Sequence, residues 1–95
     1  MDFFLGYCAF ELYLPASTSL KDKRAEIKSL LARVRQKFNV GVAEVSHHEK
    51  WQLSGLAVVA VANERKYVEE VLDNVISFVE RQTTGEVISR STEIL

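Results

Sequence analysis

Twice in 95 residues the sequence runs through one pattern: an apolar stretch, a polar stop, a long segment of helical periodicity and a shorter alternating stretch. The first apolar stretch, FFLGYCAFELYL at residues 3–14, ends at Pro15, the only proline, and reads as a strand stopping at a loop. Ser19 is placed to cap the helix that follows, with Asp22 near the positive end of its dipole. At about 100° per residue, Leu20, Ile27, Leu30, Leu31, Val34 and Phe38 share one stripe of a helix running from about Leu20 to Lys37. NVGVAEVS (39–46) and LSGLAVVAVA (53–62) read as antiparallel strands joined by the loop HHEKWQ. Asn63 is a cap for a second helix, from about Glu64 to Gln82, with Tyr67, Val68, Val71, Leu72, Val75, Phe78 and Val79 on its buried side. Gly85 reads as its stop, and EVISRSTEIL as a half-solvated edge strand.

Strand, helix, strand, strand, helix, strand with right-handed crossovers gives an α+β class protein. It is a ferredoxin-like βαββαβ sandwich, a four-stranded antiparallel sheet with two helices on one face. Strands one and three are then central, matching their more apolar composition. The length and the 47% hydrophobic content suit one domain spanning residues 1–95. The net charge of −1 gives no global field for nucleic acid or membrane, so an anionic partner must meet a local patch. Cys8, the only cysteine, lies in an apolar run and reads as a buried hydrophobe, which suits a reducing cytoplasm. The N-terminal segment carries Asp2 where a signal peptide needs positive charge. Its apolar run breaks at Glu11, short of the roughly 20 residues that span a bilayer, so no membrane role is expected.

Helices cover one face of such a sheet, and the other should be polar unless something covers it. Here neither parity of strand three, nor of strand one before Glu11, is hydrophilic. A homodimer through the sheet face is therefore expected, with a partner protein serving equally well. Base stacking on this face is disfavoured, because strand three carries no aromatic residue.

No catalytic motif emerges, and no enzyme activity, cofactor or metal is expected. His47 and His48 are adjacent, point to opposite sides of an extended segment, and read as solvated loop residues. The loop after strand one has no glycine, unlike the phosphate-cradling loop of acylphosphatases on this fold, and one cysteine cannot form a two-cysteine metal-chaperone motif.

The first helix is the exception to the neutral charge. From Lys21 to Lys37 it carries seven basic and two acidic residues, whereas Glu64 to Arg81 carries three against five. Lys21, Arg24, Lys28 and Arg35 fall along one flank of the apolar stripe, where like charges slightly destabilise an isolated helix. Lys23 and Arg24 occupy first-turn positions where the stripe calls for a hydrophobe, so their stems should pack on the core with charges at its rim. Two readings follow. In one, Lys23 or Arg24 pairs with a carboxylate such as Glu11 or Glu44. In the other, the capped helix start and Lys21, Lys23, Arg24, Lys28 and Arg35 form an anion site for RNA or ribosome. The competing function is an assembly module using the open sheet face.

LPASTSLKDKRAEIKSLLARVRQKFNVGVAEV and the following WQLSGLAVVAVAN resemble the YlxP-like bacterial family over essentially the whole chain, with SLKDKR and FNVGVAEV the most specific parts. The resemblance implies a ferredoxin-like fold in the bacterial cytoplasm, encoded near translation and ribosome-maturation genes. It brings no catalytic residues to carry over.

Overall fold

In the computed structural model of residues 1–95, two strands, β1 (Phe4–Tyr13) and β3 (Leu53–Ala62), pair antiparallel along their whole length, Phe4 opposite Ala62 and Tyr13 opposite Leu53. On one side of this pair, Cys8, Phe10 and Leu12 join Leu56, Val58 and Ala60 in the core. That side is covered by α1 (Leu20–Lys37) and α2 (Arg65–Gln82). β2 (Gly41–Ser46) flanks β3 and β4 (Glu86–Ile94) flanks β1, giving the strand order β2-β3-β1-β4. The long apolar strands are central and the alternating ones lie at the edges, because only a strand with neighbours on both sides is shielded along its length. The buried hydrophobic residues form one cluster. Each fully buried aliphatic side chain, Leu12 or Leu30 for example, contributes about 1.5–3 kcal/mol.

The two helices start differently. Ser19 Oγ accepts from the Asp22 amide (3.0 Å), while the Thr18 amide and hydroxyl donate to the Asp22 carboxylate (3.2 and 2.6 Å). These bonds from Thr18 hold the Asp22 carboxyl below its ordinary value. For α2 the cap is Glu64 rather than Asn63, with no side-chain bond and no acid in the first turn. This helix is held by packing through Val68, Leu72, Val75, Ile76, Phe78 and Val79. Tyr67, expected on the buried side, is 56% exposed, and Ile76 is buried instead. At about 100° per residue Tyr67 lies about 110° from the centre of the buried face and so beyond its edge, whereas Ile76 lies about 70° from that centre, at the opposite margin.

Gly85 does not stop α2. The helix ends at Thr83 in extended conformation, its amide bonded to the Val79 carbonyl, and no glycine has positive φ. Gly85 is required because a Cβ there would meet the Tyr13 carbonyl and the Leu14 side chain where β4 begins to pair with β1. Both edge strands carry a bulge, at Val45 on β2 and at Ile88 on β4, and both bulges sit level with the central pair Glu11 and Gly55. No helix is long and apolar enough to cross a membrane.

Candidate functional site

The first turn of α1 separates basic residues that look equivalent in sequence. Lys21, Arg24, Lys28 and Arg35 are exposed, but Lys23 has no exposed surface and its charge does not reach the rim of the core. Its ammonium donates to the carbonyls of His47 (2.7 Å), His48 (3.3 Å) and Leu53 (3.3 Å) and pairs with Glu44 Oε2 at 3.0 Å. The Ser54 hydroxyl donates to the same carboxylate oxygen at 2.7 Å. Burial by itself would raise the Glu44 carboxyl, but the bonds from Ser54 and Lys23 outweigh it and leave that group below its ordinary value. A buried ammonium persists only with a counter-charge and acceptors around it, and the β2–β3 hairpin supplies both. Lys23 is therefore withdrawn from the anion-binding set. Of the two carboxylates considered for it, the partner is Glu44.

The start of α1 is likewise occupied. The Asp22 amide is bonded to Ser19 and the Asp22 carboxylate lies beside it, so a phosphate would meet a negative charge there. What remains is the flank. Arg24, Lys28 and Arg35 line a shallow groove of about 300 Å3 between α1 and β2, floored by Ile27 and Leu31 and reaching Glu44. Lys21 lies outside it. No carboxylate comes within salt-bridge distance of Lys21, Arg24 or Lys28. Arg35 has a local task as well, since its Nη2 donates to the Val42 carbonyl at 3.0 Å.

The open face of the sheet is apolar across its centre, as the sequence pattern anticipated. Leu5, Tyr7 and Ala9 of β1 stand beside Ala57, Val59 and Val61 of β3, with Val59 42% and Val61 62% exposed. Gly41 and Ala43 extend the surface onto β2. The Tyr7 hydroxyl donates to Glu93 at 2.7 Å, and that bond raises the Tyr7 phenol.

One end of this face is polar, which sequence reasoning missed. Glu11 accepts from the Ser89 hydroxyl at 2.9 Å on one oxygen and meets His47 Nε2 at 2.7 Å on the other. The Ser89 bond, followed by the His47 bond, draws the Glu11 carboxyl below its ordinary value. Expected in a solvated loop, His47 is half-buried and bent into positive φ (61°), because its carbonyl turns inward to Lys23 while its ring reaches Glu11. His48 is exposed, as expected. A cleft of about 300 Å3 lies beside Glu11 and Ser89, and its floor at Gly55 has no room for a Cβ beneath the Ser46 hydroxyl. Ser89 and His47 bond to opposite oxygens of one carboxylate, so no serine-to-histidine relay forms. No three His, Cys, Asp or Glu side chains gather as metal ligands. The signal in the sequence was Glu11, a lone charge among apolar residues. Its partners stand 36 and 78 residues away, and nothing local announces them.

The architecture is that of a ferredoxin-like α+β sandwich that carries a basic helix flank and an apolar sheet face. Residues 5–92 match a family described as "Protein of unknown function (DUF503)", and the chain belongs to that family. It is 34% identical over 76 residues to "Uncharacterized protein YlxP" of Bacillus subtilis (strain 168), an alignment covering 80% of this chain and 83% of that protein. A ferredoxin-like protein of unknown function from Thermobifida fusca YX, described as dimeric, superposes with a TM-score of 0.53 at 10% identity, covering 100% of this chain and 92% of the other. A de novo designed protein, Foldit4, also gives 0.53, at 13% identity with 97% of each chain covered. At those identities the likeness concerns the fold alone.

Proposed function

We propose that this chain is a non-enzymatic, cytoplasmic binding domain whose leading partner is RNA or a ribosomal surface, met through the exposed flank of α1. The supporting observation is that Lys21, Arg24 and Lys28 stand exposed on α1 without an acidic partner, while Arg24, Lys28 and Arg35 converge on one groove. Unpaired cations so aligned destabilise the helix slightly and gain most when a polyanion neutralises them together. About three phosphate contacts give a log–log salt slope of about −2 to −3, so binding should fall steeply between low and moderate salt. The test is co-sedimentation with ribosomal subunits, and with RNA alone, across a salt series. Charge reversal at Lys21 and Lys28 should weaken binding and flatten its salt dependence, and unaltered binding would sink this reading.

The apolar centre of the open face favours a second reading, an assembly module covered by another protein or by a second copy of the chain. Size-exclusion chromatography with light scattering at micromolar concentration tests the self-association form, and a monomer alone would dismiss it.

A further inference from the structure

The two edges of the sheet are finished differently. On β2 the Val42 carbonyl accepts from Arg35, so ladder alternation turns the backbones of Val42 and Glu44 outward. The Glu44 carbonyl is also covered, accepting from His48 Nε2 at 3.3 Å. On β4 the Leu95 amide donates to the Leu5 carbonyl (2.8 Å). Alternation then turns Glu93, Ser91 and Ser89 towards β1 and leaves Ile94, Thr92 and Arg90 facing out. No side chain bonds to these outward groups, and the Arg90 guanidinium reaches instead to Asp73 of α2 at 3.4 Å. A bare edge of this length is a template for another strand.

We propose that β4 is the edge along which two copies of this chain join, antiparallel about a two-fold axis at Ser91, to form one eight-stranded sheet. The occupant is a second copy because the strand complements itself. Directly opposed residues share a face, so the axis must pass through a residue. Centring it on Arg90 sets two guanidinium groups opposite each other, and centring it on Thr92 shortens the overlap to residues 90–94. Centring it on Ser89 places the Ile88 bulges of both copies beside the axis. Centred on Ser91, the overlap runs from Ile88 to Ile94, with Arg90 opposite Thr92, Ser89 opposite Glu93 and Ile88 opposite Ile94. No like charges then meet, and the outward-facing Arg90 and Thr92 are the residues that exchange backbone hydrogen bonds. The pairing leaves the α1 flank and the open face uncovered, so it goes beyond the reading given above and stands or falls separately.

Cysteine placement tests it. The two Ser91 residues form a non-hydrogen-bonded pair with Cα atoms about 4.5 Å apart, within the range a disulfide needs. Native Cys8 is buried and does not compete. Under mild oxidation at micromolar concentration Ser91→Cys should give a disulfide-linked dimer, while Val59→Cys, on the open face, should not. Light scattering of the unmodified chain should give twice the 10.8 kDa monomer mass. Thr92→Arg sets like charges opposite each other and should weaken association about tenfold, and Arg90→Glu added to it should restore association by reversing one of them. Circular dichroism confirms that each variant is folded. No disulfide at residue 91, a yield at residue 59 equal to or greater than that at 91, or indifference to Thr92→Arg would each overturn the proposal.

Discussion

β2 and β4 occupy equivalent places at opposite edges of one sheet, yet they are held by different physics. β2 is stitched into the molecule from beneath: Lys23 ties Glu44 and three hairpin carbonyls to α1, and Arg35 and His48 cover its outward carbonyls. β4 is held by its ladder to β1, by Val87 and Ile94 packed against the core, and by exposed pairs, Arg90 with Asp73, Ser89 with Glu11 and Glu93 with Tyr7. The difference teaches that edge position alone does not decide how firmly a strand is fastened or whether it can accept a partner. A buried charge fixes one edge, while solvent-screened contacts leave the other available.

The largest effect should come from breaking the buried pair. Glu44→Ala strands the Lys23 ammonium in the core and should cost about 3–5 kcal/mol in urea unfolding, as should Lys23→Met, which takes the counter-charge from the Glu44 carboxylate and one donor from each of three carbonyls. Lys21→Met, two residues away on the exposed side, should shift stability by no more than about 0.5 kcal/mol. Equal costs for the two lysines would erase the contrast. Next comes Gly85→Ala, which forces the start of β4 off the end of β1 and should cost about 1–3 kcal/mol, showing that β4 depends on backbone fit where β2 depends on charge.

Acid sharpens the comparison. The Glu44, Glu11 and Asp22 carboxyls all lie below their ordinary values, 4.5 for the glutamates and 3.8 for the aspartate. Groups so lowered stabilise the folded state above the unfolded values, and that contribution is lost as pH falls from about 4.5 through the folded ones. Unfolding measured from pH 7 to 3 should therefore show a loss confined to the acid end, with a smaller slope there in Glu44→Gln. The smallest effect should come from Arg90→Ala, whose exposed pair with Asp73 is worth about 0.2–1 kcal/mol.

Much of the architecture was legible because it rests on local periodicity. α1 runs from Leu20 to Lys37 and β3 from Leu53 to Ala62, as the stripe and the apolar run required. The Ser19 cap needs only its own neighbours, and it was legible too. Asn63 and Gly85 were misread because each has a common local role that this chain does not use. α2 starts without a side-chain cap, and Gly85 answers to Tyr13, 72 positions earlier. The candidate site was legible in part. Lys21, Arg24, Lys28 and Arg35 lie on the surface, as a basic flank must. Lys23 shares their residue type or charge but not their environment, which the β2–β3 hairpin supplies.

The sequence by itself determined the order of the elements, the antiparallel sheet with its central and edge strands, and an apolar open face, because each follows from the spacing of apolar residues along the chain. Only the tertiary structure decided that Lys23 is a buried tie to Glu44, that Glu11 gathers Ser89 and His47, and that one edge is covered while the other is bare. Those outcomes depend on contacts between residues far apart in sequence. Desolvation and hydrogen-bond partners decide what a charge does, and neither is written in its immediate neighbours.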